Sequence, residues 1–188
     1  MPAPERTTLT AIVDAAFALL EAGGLEAVTM QAVAQRVGIR APSLYKRVRD
    51  RDALVGLVVG RAVDGLGALL AETAARSPDD PRRAFVALAE AVRAFAHAHP
   101  AAFRLVFNPL PDAARADVDA LARASAPVLS VAARLAGEAE ALEAARLVTA
   151  SLTGFLLMEL SGAFRLGGDV DRAYAWGVER LLHAVAVT

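Results

Sequence analysis

Between Thr29 and Arg51 the chain reads T-M-Q-A-V-A-Q-R-V-G-I-R-A-P-S-L-Y-K-R-V-R-D-R, and this stretch admits few folds. Val33, Ala34 and Val37 recur at helical spacing, Gly38 interrupts them, and Leu44 and Val48 recur four apart after Ala41-Pro42. Thr29 stands where a side-chain oxygen can accept from a free N–H of the first turn. Gly38 supplies the left-handed conformation that stops a helix. Pro42 falls in a first turn, where its missing N–H has no intrahelical partner to lose. The pattern is two short amphipathic helices around a tight turn.

With Leu44 and Val48 facing a core, Pro42, Ser43 and Lys46 fall on the outward arc of the second short helix, flanked by Tyr45 and Arg47. The charge is as uneven as the hydrophobicity. Residues 36 to 51 hold six basic side chains (Arg36, Arg40, Lys46, Arg47, Arg49, Arg51) against Asp50 alone, while the other 172 residues carry 14 basic and 20 acidic groups. The net charge of −1 therefore conceals a basic patch on an acidic body, which is what steering toward phosphate requires. Together these features predict a helix-turn-helix that enters a DNA groove.

The rest of the chain predicts an all-α fold. Alternation never persists, and three- and four-residue spacings recur throughout. A first helix is expected from about Thr8 to Ala22, ended by Gly23-Gly24, and a long fourth helix from Asp50 as cap to about Arg76. The break S-P-D-D-P at Ser77 to Pro81 divides the chain into a reading domain at 1–52, a connecting helix at 53–76 and a larger helical domain at 77–188. Helices are expected there at about Pro81 to His97, Ala101 to Phe107, Asp112 to Ala136 with a kink at Pro127, Glu138 to Leu166, and Asp169 to Val187. His99-Pro100, Asn108 to Pro111, Gly137 and Gly167-Gly168 punctuate them.

Composition removes several function classes. With no cysteine, neither disulfides nor thiolate metal sites can form. The opening M-P-A-P-E-R-T-T has no basic region followed by an apolar run, so a cytoplasmic location is expected. Leu147 to Phe164 carries Glu159 as its single charge, yet Thr149, Ser151, Thr153, Ser161, Gly154 and Gly162 dilute it and no aromatic belt flanks it, so no membrane partner is expected. No G-x-S-x-G, phosphate-cradling glycine loop or H-E-x-x-H is present. His97 and His99, two apart, point to nearly opposite sides of a helix and do not suggest a metal. No enzyme activity and no cofactor are expected.

The run V-T-M-Q-A-V-A-Q-R-V-G-I-R-A-P-S-L-Y-K-R-V-R-D-R-D-A-L resembles the N-terminal domain of the TetR family of transcriptional regulators. A threonine opening the second helix, an A-x-x-x-G-[VI] turn, an [ST]-[LI]-Y core and a basic residue opening the fourth helix fall at the family's spacing, over roughly Leu9 to Val59. H-P-A-A-F-R-L-V-F, T-G-F-L-L-M-E-L-S-G-A-F and A-Y-A-W-G-V-E-R-L-L are similar to a C-terminal subgroup named for a Trp-His-Gly motif. Leu152-Thr153 stand where that subgroup has Trp and His. The resemblance implies that Thr29, Ser43, Tyr45 and Arg51 grip phosphates. It also implies that Gln31, Arg40, Ala41, Pro42 and Lys46 meet base edges or the adjoining backbone. Lys46-Arg47 replaces the family's more frequent aromatic-histidine pair.

A reader this short covers only a few base pairs, so useful specificity needs two copies on a palindromic operator, that is, a homodimer on double-stranded DNA. The last two helices are the expected interface, with Leu152, Leu156, Leu160, Trp176 and Leu181 supplying apolar area. Control is expected from a small hydrophobic effector in a pocket drawn from Phe95, Phe103, Phe107, Phe155 and Met158, oriented by Glu159. The function expected is a repressor released from its operator by that effector. The alternatives are an activator on the same fold, or a helical ligand-binding or scaffold protein that binds no operator.

Overall fold

The computed structural model describes residues 8–107 and 110–187, and every described element is helical. Residues 1–7, Asn108-Pro109 and Thr188, among them most of the opening run and part of the expected break at Asn108 to Pro111, lie outside the described residues. Among the described residues nine α-helices follow in order: α1 Leu9–Ala27, α2 Met30–Val37, α3 Ala41–Tyr45, α4 Arg51–Ala75, α5 Pro81–Ala98, α6 Pro100–Phe107, α7 Val118–Ala136, α8 Ala141–Leu160 and α9 Val170–Val185.

Capping chemistry sets most of the boundaries. Thr8, Thr29, Asp50 and Asp169 accept from the backbone N–H groups of Ala11, Ala32, Ala53 and Arg172 at 2.8 to 3.1 Å, each satisfying a first-turn donor that the helix cannot. Three boundaries differ from the sequence expectation. Gly24 adopts φ 72° and ψ −173°, but the chain returns to helix at once, so α1 bends there and runs on to Ala27. The helix expected from Asp112 is a single 3₁₀ turn, and α7 starts at Val118, where Asp117 accepts from Ala120 N–H. α8 ends at Leu160 rather than Leu166. There the N–H groups of Ser161, Gly162 and Ala163 turn back to the carbonyls of Leu157, Glu159 and Met158, with Gly162 left-handed.

Two compact units result, and they do not follow the linear division at Ser77 to Pro81. The first takes the chain up to Asp64 together with His99–Ala120; the second takes Gly65–Ala98 and Leu121 onward. α6 joins the first unit for a specific reason. Glu21 on α1 accepts from the free N–H groups of Ala101 and Ala102 at 3.2 and 2.9 Å, and Phe17 meets His99 edge-on. A carboxylate at a helix N-terminus is favoured by the helix dipole as well as by these bonds. α4 belongs to both units, its early residues to the first and those from Gly65 to the second.

The core of the first unit is built from Ile12, Ala16, Leu20, Val28, Val33, Leu44, Leu54, Val58 and Phe103, all at most 1% exposed. In the second, Phe85, Leu88, Ala96, Leu135, Leu152, Leu156, Tyr174 and Val178 are buried together. α4 and residues 138–160 are long and apolar enough to cross a membrane by length and composition, with mean hydropathy 1.8 and 1.4. Burial of Leu54, Val55, Val58, Val59, Val63 and Leu70 accounts for the apolarity of α4 as packing within the protein.

Candidate nucleic-acid interface and ligand cleft

α2 and α3 form a helix-turn-helix in which the inward and outward faces are cleanly separated. Met30, Val33 and Ala34 of α2 are buried, Gly38 ends the helix at φ 80°, and Ile39 N–H donates to Ala34 O across the turn at 2.9 Å. α3 is a little over one turn, and Lys46 keeps helical angles and continues its direction. Leu44 and Val48 are 0% and 3% exposed. Pro42, Tyr45, Lys46 and Arg47 point the other way and are exposed, with Tyr45 at 53%, too open for a core aromatic.

The six cations of residues 36–51 separate into two groups. Arg49 bonds Asp50 at 2.6 Å. The carboxyl of Asp50 is held below the usual carboxylate range, first by Ala53 N–H and then by Arg49. Arg51 donates from Nε to Val28 O at 2.8 Å and from Nη2 to Leu25 O at 2.7 Å, tying the start of α4 to the end of α1. Its guanidinium is thus committed within the domain, where the family resemblance implied a phosphate. Arg36, Arg40, Lys46 and Arg47 are exposed, and among the described residues each keeps its charge free of any protein partner. Thr29 spends its hydroxyl on capping α2; Gln31 is exposed beside it, while Ala41 and Ser43 are half-buried.

The second unit holds a cleft of about 630 Å³ between α5, α8 and α9, lined by apolar Val86, Ala94, Ala175 and Val178 and by an ionic cluster. At its centre Arg93 bonds both Glu159 and Asp171 and lies over the Tyr174 ring at 4.7 Å. Arg93 and Glu159 are largely buried, their side chains 19% and 12% exposed, and His97 Nε2 lies 3.3 Å from Glu159. Tyr174 donates its hydroxyl to Ala89 O at 2.6 Å, and burial pushes the phenol well above its ordinary pKa.

Of the expected pocket residues, Glu159 alone lines this cleft. Phe103 and Phe107 belong to the first unit, their ring centroids 5.0 Å apart. Phe95 is buried, Phe155 packs against Phe164 and Tyr174, and Met158 faces outward at 47% exposure. Arg93 and Tyr174 escaped the sequence reading because their partners are distant along the chain. A signal existed: Glu159 is the single charge of the apolar stretch Leu147 to Leu160, and such a group must find a partner when it is buried.

The expected interface divides as well. Leu152 and Leu156 are 7% and 0% exposed within one chain, so they have no surface left to bury against another and belong to the core. Leu160 and Leu181 are half-buried. Trp176 is 64% exposed, and on α8 Leu142, Leu147 and Met158 are the exposed large apolar residues.

Residues 12–58 match the family described as bacterial regulatory proteins, tetR family, and residues 85–181 match the tetracyclin repressor-like C-terminal domain. The chain belongs to the TetR family. An uncharacterized HTH-type transcriptional regulator of Mycobacterium tuberculosis (strain ATCC 25618 / H37Rv), Rv0681, is 31% identical over 172 residues, covering 89% of this chain and 76% of that protein. The crystal structure of the protein SCO4313 is 27% identical with a TM-score of 0.77, covering 97% of this chain and all of the other. A TetR variant of Acinetobacter baumannii AYE, solved in complex with minocycline, shares the fold at 21% identity and a TM-score of 0.67, covering 94% and 95%. This TetR family protein is a DNA-binding transcriptional regulator with a tetracyclin repressor-like C-terminal domain.

Proposed function

We propose that the protein is a homodimeric, cytoplasmic repressor that holds a palindromic operator with two copies of α3 and releases it when a small molecule occupies the second unit. The observation that carries the reading is the exposed group Tyr45, Lys46 and Arg47, without a side-chain partner among the described residues, opposite the buried pair Leu44 and Val48. Thr29 and Ser43 at the helix starts and Tyr45 on the flank hold backbone phosphates, and Gln31, Arg40, Ala41, Pro42 and Lys46 face the bases. The role is regulatory rather than enzymatic.

Leu147, Met158 and Trp176, together with Ala150 and Gly154 on the open side of α8, form the face that pairs with a second copy. Small residues there let two helices approach closely, giving a four-helix bundle across a two-fold axis. The effector site is the α5–α8–α9 cleft, whose size suits a small ligand. The minocycline complex of the Acinetobacter baumannii relative supports a small-molecule effector. α4, continuous through both units, is the element able to carry the response.

Selection of a random duplex library on the purified protein tests the reading, with Tyr45→Ala as control. Recovery of a palindrome by the wild type and its disappearance in the variant is the expected result. A library that stays unenriched would return the basic patch to a merely solvated surface.

A further inference from the structure

The chain uses arginine nineteen times and lysine once, and the lysine is Lys46. Its place on the head is equally particular. Pro42 and Lys46 are four residues apart, so they share one line along α3, and that line is on the side away from buried Leu44 and Val48. A short helix set into a groove by its outward face puts this line deepest. Arg40 and Arg47 stand toward the edges of the same face, and Arg49 and Arg51 are bonded within the protein.

The chemistry of the line is one-sided. An ammonium has three donors and no acceptor, and proline offers only a hydrocarbon surface. No carboxylate or amide stands beside them on α3 to accept from cytosine N4 or adenine N6. In the major groove, guanine is the base that presents two acceptors side by side, O6 and N7, whereas adenine sets a donor next to its N7. A lone cation therefore gains most on guanine and meets repulsion from the adenine amino group. An apolar side chain one turn earlier is suited to the methyl group of thymine.

We propose that Lys46 is the specificity-determining side chain of the head, reading guanine O6 and N7 in each half-site, with Pro42 against a neighbouring thymine methyl. The proposal rests on the reading of α3 as the DNA-contacting element and adds the identity of the base. Lys46 has no bond within the described residues and lies in solvent, so changing it leaves the fold alone.

The experiment is a parallel library selection on the full-length wild type and Lys46→Gln. Glutamine carries a donor and an acceptor together and suits adenine. The wild type should return a palindrome with one guanine column in each half that Lys46→Gln converts to adenine, other columns persisting, and Lys46→Gln should bind the wild-type site about tenfold to a hundredfold more weakly. The same consensus from both proteins, or a consensus with no guanine column, overturns the proposal while leaving operator binding intact. No enrichment by either protein overturns operator binding itself. Lys46 carries the chain's only ε-amine, which allows a second readout. Bound to the selected duplex, it should lose reactivity toward an amine-acetylating reagent, and retained reactivity in the complex likewise overturns the assignment.

Discussion

Arg51 donates from Nε to the carbonyl oxygen of Val28 at 2.8 Å, closing the end of α1 onto the start of α4 across twenty-three residues. A second bond from Nη2 to Leu25 O uses the same edge of the guanidinium as Nε. The planar fork fixes both carbonyls, which follow the bend at Gly24, and Leu25 O also accepts from the Val28 N–H at 3.2 Å. Arg51→Ala should therefore act on stability, lowering it by about 2–3 kcal/mol, as expected for charge-assisted bonds to partly buried acceptors. Urea unfolding measures this. The salt dependence of operator binding should keep its slope, whereas a variant that gave up one phosphate would bind with a slope flatter by about one unit. A flattened slope with unchanged stability would return Arg51 to the phosphate backbone.

Tyr174 gives a pH dependence whose sign is fixed by its burial. The ordinary phenol titrates near ~10. In the folded protein its pKa is raised, so the folded state keeps a proton that the unfolded state releases. The stability that Tyr174 contributes is complete below about pH 10 and declines as the pH rises beyond it. Tyr174→Phe should lose about 1 kcal/mol at neutral pH with the bond to Ala89 O, and should show a shallower alkaline decline. Thermal unfolding of both proteins between about pH 7 and 11 checks it, the window that brackets the phenol's ordinary titration. Parallel curves would assign the decline to other groups.

The ion pair of Arg93 and Glu159 should behave differently from its exposed extension to Asp171. Glu159 is mostly shielded from water, so Arg93→Met leaves a carboxylate without its main partner and should cost about 3 kcal/mol or more. Asp171 has a side chain 83% exposed, and Asp171→Asn should change stability by less than about 0.5 kcal/mol. Replacing Arg93 and Glu159 together by methionine should recover part of the single-variant loss, as a double-mutant cycle in urea would show.

How far the sequence carried depended on the range of each interaction. Thr29 and Asp50 were readable as caps because a cap bonds three residues away, and Gly38 because a left-handed turn is a local demand. Arg51 was not, since its acceptors are twenty-three and twenty-six residues away and no spacing rule reaches them. α8 shows a different difficulty. It is apolar on nearly all sides, so its periodicity could not separate buried Leu152 and Leu156 from exposed Leu147 and Met158. The aromatic residues misled for the same reason: a phenylalanine in a core and one on a cavity wall carry the same sequence signal.

That exposed side of α8 and the open face of α9 make the last prediction. Leu147 and Trp176 are 51% and 64% exposed, so a charge at either place should leave the single chain's stability within about 0.5 kcal/mol. At the centre of an interface the same change costs about 2 kcal/mol or more, roughly thirtyfold in the dimer dissociation constant. Leu147→Glu and Trp176→Glu should therefore be folded and shifted toward monomer, as light scattering on a sizing column would report over a dilution series. Binding to a palindrome should weaken in step with dissociation of the dimer while binding to an isolated half-site stays as it was, because the reading heads are untouched. Variants that remain as dimeric as the wild type would move the two-fold axis to another face of the protein.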